Sequence, residues 1–292
     1  MDRILLLAPA LLLLATLSIA FAIYCGLCLA GRAPEIQGAK HNQILGPFLA
    51  RYLVWLIGPL ERVLVGLVSP NLITAVSLVM CAWSGLEAGL GKLGGAAWLY
   101  ALVGILDVLD GRLARLANRQ TRSGALFDSV SDRWGELFVL GGYAWYLRDT
   151  PWLLAVMGAL GSSMMVSYTR ARAEGLGVEL SGGMMQRAER ILLVACGSAV
   201  AAWYATHPDT AWLTEPILGG TMVVCAVAST ATAINRWIVA FRELARRDAA
   251  AEEAAAAALA ASAAQPQAQP APSAPHYKPI PAKLRESAEL GL

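Results

Sequence analysis

Two short stretches constrain this chain more than anything else in it. Asp107-Val-Leu-Asp110-Gly111-Arg-Leu-Ala114-Arg115 and Gly124-Ala-Leu-Phe-Asp128-Ser-Val-Ser-Asp132 place four carboxylates in a chain that otherwise reads as membrane-embedded. On an α-helix, residues 107, 110, 111, 114 and 115 share one face, because they follow the i, i+3, i+4, i+7, i+8 spacing. Gly124, Asp128 and Asp132 do the same at i, i+4, i+8. Two facing helices would bring the acids together beside positions that carry little side chain. Ionised groups in a bilayer are costly unless compensated, so a cluster of them points to function.

The apolar setting follows from composition. Hydrophobic residues make up 57% of the 292 positions and charged residues 15%, with a mean hydropathy of +0.53. Several stretches approach the roughly 20 apolar residues that cross a bilayer as a helix. The fold class expected is therefore an all-α polytopic membrane protein, in contact with membrane lipids. A formal net charge of +2 implies no nucleic-acid partner. Cys25, Cys28, Cys81, Cys196 and Cys225 all fall in apolar runs. The Cys25-x-x-Cys28 pair has no ligand candidates nearby and reads as small helix residues rather than a redox or zinc site.

In chain order, residues 1–30 form an uncleaved N-terminal transmembrane helix, because the nearly uncharged run from Ile4 to Ala30 exceeds the apolar core of a signal peptide. Residues 31–68 are a polar loop, in which His41 is solvated, followed by a juxtamembrane amphipathic helix from Pro47 to Val68. Ser69-Pro70 then reads as an N-cap and first helical residue. Residues 69–242 form a core of six transmembrane helices, near 70–85, 96–117, 124–147, 152–173, 186–204 and 216–241. Arginines gather at one end of this core: 112, 115, 119 and 122, then 170, 172, 187 and 190, then 242, 246 and 247. The other end carries only Lys92 and Arg148. The positive-inside rule makes the motif end and the C-terminus cytoplasmic in the plasma (inner) membrane, with Arg3 running against the pattern. Residues 243–292 read as a disordered Ala/Pro-rich cytoplasmic tail, with 249–264 at most transiently helical.

Carboxylates without His or Cys are hard ligands that suit Mg²⁺, Mn²⁺ or Ca²⁺ rather than zinc. Four of them on two helices can bracket two divalent ions, a clamp used on phosphoryl oxygens. Gly111, Gly124 and Ala114 either let helices pack closely or clear space for a ligand. Beside four acids and Arg115, the ligand cleft is the stronger reading. A divalent-cation transporter is the alternative from another class, since it also needs buried acids.

The full pattern, eight specified residues from Asp107 to Asp132, matches the signature of the CDP-alcohol phosphotransferase family at every position. The resemblance covers about residues 47–242. It implies a six-helix membrane enzyme, usually a homodimer, that moves a phosphatidyl group from CDP-diacylglycerol to an alcohol and releases CMP. Carried onto this chain, Asp107, Asp110 and Asp128 would be metal ligands, with two Mg²⁺ or Mn²⁺ ions per active site. Asp132 would be the catalytic base, also near a metal. Gly111, Ala114, Arg115 and Gly124 would bind the CDP-lipid together with Asp107 and Asp110. Asn71 and Thr74 correspond to polar positions of the family that face that site.

A second cationic stretch, Ser167 to Gly175 followed by Gln186-Arg187-Ala188-Glu189-Arg190, lies at the same end. A basic pocket there suits an acceptor that carries its own phosphate. These segments resemble the branch of the family that uses inositol phosphate, the phosphatidylinositol-phosphate synthases. By that resemblance Arg170, Arg172 and Arg190 would bind the acceptor phosphate, with Arg236 as a fourth candidate. Phosphatidylglycerophosphate synthesis from glycerol 3-phosphate is the nearest alternative.

Overall fold

The computed structural model describes residues 2–32, 46–117, 120–180 and 182–264. Its described residues form eight α-helices and one 3₁₀ turn, with no strand: α1 Asp2–Leu29, α2 Gly46–Leu64, α3 Pro70–Gly89, α4 Leu93–Leu116, α5 Arg122–Tyr146, α6 Leu153–Gly175, α7 Arg187–Ala205 and α8 Thr214–Ala264. The all-helical membrane class is as expected. Helices α3, α4, α7 and α8 are each long and apolar enough to cross a membrane.

Helix α3 shows how the sequence divides inside from outside. Leu72, Val76, Val79, Trp83, Leu86 and Leu90 form an exposed stripe at alternating spacings of four and three. The opposite face buries Ile73, Thr74, Ser77, Cys81, Ser84, Gly85 and Ala88. Large residues outside and small or polar ones inside are the pattern of a helix that meets lipid on one side and backbone on the other. Its start is fixed by Ser69, whose hydroxyl accepts from Leu72 N at 3.2 Å, with Pro70 in the first turn. Helix α5 is capped in the same way by Thr121, which accepts from Gly124 N at 3.0 Å.

Close helix contact depends on two glycines. A Cβ on Gly85 would lie 2.1 Å from the carbonyl oxygen of Phe138, and one on Gly142 1.9 Å from that of Gly85. Helices α3 and α5 therefore touch backbone to backbone, running parallel. Antiparallel α4 joins them through Ser84, which donates to Ala96 O at 2.8 Å, and through Thr74, which reaches Asp110 at the far end. Ser198 of α7 donates to Leu93 O at 3.1 Å, so α7 is antiparallel to α4. The result is that the starts of α3, α5 and α7 and the ends of α4 and α6 meet at one end. Tyr100, Val103, Val139, Tyr143, Val194 and Met222 fill the core behind them.

Helix α2 docks on this end. Glu61 accepts from Nε and Nη2 of Arg112 on α4, the second at 3.1 Å, and is itself buried. Aromatic contacts among Phe21, Tyr24, Tyr52 and Trp55 join α1 to α2, and Tyr52 donates its hydroxyl to Leu17 O at 2.6 Å.

One expectation needs correction. The final helix does not stop near 241 but continues to Ala264, so residues 243–264 are helical rather than disordered. The cause is local. This segment is rich in Ala, Glu and Arg, and Glu243 accepts from Arg246 and Arg247 at i+3 and i+4. By internal contacts, residues 1–242 form one unit and 243–292 another. Residues 33–45 of the polar loop expected at 31–45, with His41, and the tail beyond 264 lie outside the described residues, as does Arg119.

Candidate active site

The helix ends enclose a cavity of about 340 Å³. That volume lies within the range of small-ligand sites. Its walls carry Asp107, Asp110, Gly111, Arg112 and Arg115 from α4, Asp128, Asp132, Arg133 and Glu136 from α5, and Arg170 from α6. Arg187 and Arg190 come from α7 and Arg236 from α8, while Gln186 precedes α7 and Leu53 and Val54 belong to α2. Seven arginines face five carboxylates. Such a surface suits a multiply anionic ligand.

Asp107, Asp110 and Asp128 present carboxylate oxygens that all lie within 4.8 Å of one another. Thr74 donates its hydroxyl to Asp110 Oδ2 at 2.7 Å and thereby fixes one carboxylate of the trio. No His or Cys lines the cavity, so the donor set is all oxygen and fits Mg²⁺ or Mn²⁺. Asp132, expected as a fourth ligand, stands outside this trio. It is joined to Asp107 through Arg187, whose Nη1 pairs with Asp107 Oδ1 and lies 2.9 Å from Asp132 Oδ1. Arg133 Nη1 lies 3.9 Å from the other oxygen of Asp132.

The remaining predicted residues separate into groups. Gly111 and Arg115 line the cavity, and a Cβ on Gly111 would lie 3.6 Å from Arg115 Nη1. Asn71 and Gly124 are neighbours, since a Cβ on Gly124 would lie 3.2 Å from Asn71 Oδ1. Neither they nor Thr74 and Ala114 are among the lining residues.

The four arginines expected at the acceptor phosphate differ sharply. Arg170 is exposed at the cavity wall and pairs with Glu174 at 2.8 Å. Arg172 is exposed and does not line the cavity. Arg190 is buried, donating Nε and Nη2 to Glu136 Oε1 at 2.9 and 2.5 Å and Nη1 to Met185 O at 3.0 Å. Arg236 is also buried. It donates to Gly182 O at 2.8 Å and to Val166 O at 2.9 Å, holding the α6–α7 loop against α8. Gly182 and Gly183 in that loop have φ of 90° and 124°, a backbone region that favours glycine.

Sequence reasoning did not single out Glu136 or Arg187. Glu136 continues the four-residue series 124, 128, 132 on α5, a usable signal. Arg187 lies three residues before Arg190, but its partners are 80 and 55 positions away.

Residues 67–232 match the CDP-alcohol phosphatidyltransferase family, so the chain belongs to that family. It is 38% identical over 167 residues to archaetidylinositol phosphate synthase of Methanothermobacter thermautotrophicus, covering 57% of this chain and 80% of that one. It is 33% identical over 198 residues to phosphatidylinositol phosphate synthase of Mycobacterium tuberculosis, covering 65% and 88%. Crystal structures of the M. tuberculosis enzyme, one with manganese and citrate and one with CDP-DAG bound, superpose with TM-scores of 0.55 at 30% identity. They cover 63% and 64% of this chain and 88% and 94% of theirs. This is a transferase of phospholipid biosynthesis, and family membership removes the cation-transporter reading.

Proposed function

We propose that this chain transfers the phosphatidyl group of CDP-diacylglycerol to inositol phosphate, giving phosphatidylinositol phosphate and CMP. The observation that carries the proposal is the sharing of one cavity by the Asp107–Asp110–Asp128 trio and the exposed guanidinium of Arg170. The first suits a metal-bound diphosphate and the second an acceptor phosphate. The similarity to phosphatidylinositol phosphate synthases supports the choice of acceptor.

The trio would hold divalent cations, Mg²⁺ or Mn²⁺, two per site. When bound, they offset the diphosphate charge that repels an incoming oxygen. The manganese in the M. tuberculosis structure supports this ligand type. Gly111 leaves the backbone of α4 open to the nucleotide, and Arg115 offers a cation beside it. Asp132, at the cavity edge, takes the proton of the acceptor hydroxyl. The hydroxyl oxygen attacks the β-phosphorus, the bond to the bridging oxygen breaks, and CMP leaves. Arg170 holds the acceptor phosphate, while Arg190 and Arg236 shape its pocket through Glu136 and the α6–α7 loop.

The core at 69–242 would cross the membrane six times, with α1 as an additional span and α2 at the interface. The arginine bias of the motif end supports a cytoplasmic active site in the plasma membrane. A homodimer is the assembly the family resemblance implies.

An acceptor panel tests the assignment. Purified protein with labelled CDP-diacylglycerol and Mn²⁺ should turn over with inositol phosphate. Turnover with glycerol 3-phosphate alone would refute the acceptor.

A further inference from the structure

We propose that Arg187 is an internal counter-ion that occupies the active site in the metal's absence and must be displaced for a divalent cation to load. The inference rests on the reading of Asp107, Asp110 and Asp128 as the metal site.

Three observations support it. First, Arg187 Nη1 bridges two acids with different assignments: Asp107, which belongs to the trio, and Asp132 at 2.9 Å, which does not. Its side chain is only 15% exposed. The guanidinium thus neutralises negative charge in a poorly solvated site. Second, this arginine is less completely satisfied than its neighbours. All three donor nitrogens of Arg190 and of Arg236 have acceptors, whereas Nε of Arg187 is buried without one. Arg190 and Arg236 are fixed structural clamps; Arg187 is held by the acids alone. Third, a guanidinium and a divalent cation repel each other, and both would draw on the one carboxylate of Asp107.

Displacement has a consequence for loading order. Arg170, Arg190 and Arg236 line the same cavity, so a released Arg187 enters a region already rich in cations. It needs an anionic partner there, and a diphosphate or acceptor phosphate supplies one. Metal and CDP-lipid should therefore bind with positive coupling, part of which comes from Arg187 changing partners. By linkage the coupling is reciprocal.

The test is Mn²⁺ binding to the full chain in detergent, read from the EPR signal of free Mn²⁺ and independent of turnover. Without CDP-lipid, Arg187→Gln should bind Mn²⁺ about tenfold tighter than wild type, because a like charge competing for Asp107 is removed. Arg187→Lys, which keeps a cation, should fall between them. Adding CDP-diacylglycerol should tighten Mn²⁺ binding less in Arg187→Gln than in wild type. Equal or weaker Mn²⁺ affinity in Arg187→Gln would overturn the proposal and leave Arg187 a structural residue. A variant that folds only with metal is purified with Mn²⁺, and excess Mn²⁺ should then raise its Tm more than that of wild type. An equal or smaller rise would likewise overturn the proposal. Wild type that binds no Mn²⁺ is a distinct result, which would remove the metal-site reading itself.

Discussion

Thr74 on α3 donates its hydroxyl to Asp110 Oδ2 on α4 across 2.7 Å, and both residues are buried. This bond ties the first core helix to the acid trio and sets the direction of one carboxylate. Partners that orient a metal ligand typically govern 10–100-fold in affinity or activity. Thr74→Val should therefore raise the Mn²⁺ concentration needed for half-maximal activity by roughly 10-fold. A metal titration of CMP release checks this.

Asp132 sits outside the trio, so in the proposed mechanism its role as base would be separable from metal binding. Replacement by Asn keeps the shape but removes the proton acceptor, so kcat should fall by about 10²–10⁴-fold. Mn²⁺ and CDP-diacylglycerol should still bind. Equilibrium binding measured alongside turnover distinguishes this from a lost metal ligand.

Glu136 and Arg190 form a buried pair with side-chain exposures of 3% and 4%. Removing one member strands the other charge, at a cost of about 3–5 kcal/mol. Glu136→Ala should therefore lower the unfolding temperature in detergent markedly. The double variant Glu136→Gln, Arg190→Met should recover much of the loss, because no unpaired charge remains.

Gly142 packs directly on the backbone of Gly85. Gly142→Val would drive α3 and α5 apart and disturb the approach of Asp128 to Asp110. Overpacking of this kind costs about 1–3 kcal/mol or more. Size-exclusion profiles should show lost monodispersity, whereas substitution of Gly141, which has nothing near its Cβ position, should be tolerated.

The acids were legible in the sequence because helical spacing alone puts Asp107 and Asp110 on one face and Asp128 and Asp132 on another. The caps Ser69 and the start of α3 were readable for the same local reason. Long-range pairing was not. Nothing near Arg187 indicates that it reaches Asp107, and nothing near Arg190 that Glu136 consumes two of its donors. Charge at the correct end of the bundle also failed to separate Arg170, on the cavity wall, from Arg172, which is exposed and does not line it. The end of α8 was missed because low-complexity Ala/Glu sequence suits both a solvated helix and a disordered tail. The ion pairs of Glu243 favour the helix.

The most direct test of the account is CMP release from labelled CDP-diacylglycerol by the purified full chain with inositol phosphate, with and without Mn²⁺. The account predicts CMP and phosphatidylinositol phosphate in equal amounts with Mn²⁺, abolished by chelation and by Asp110→Asn. Metal-independent CMP release, or none with any alcohol, would contradict it.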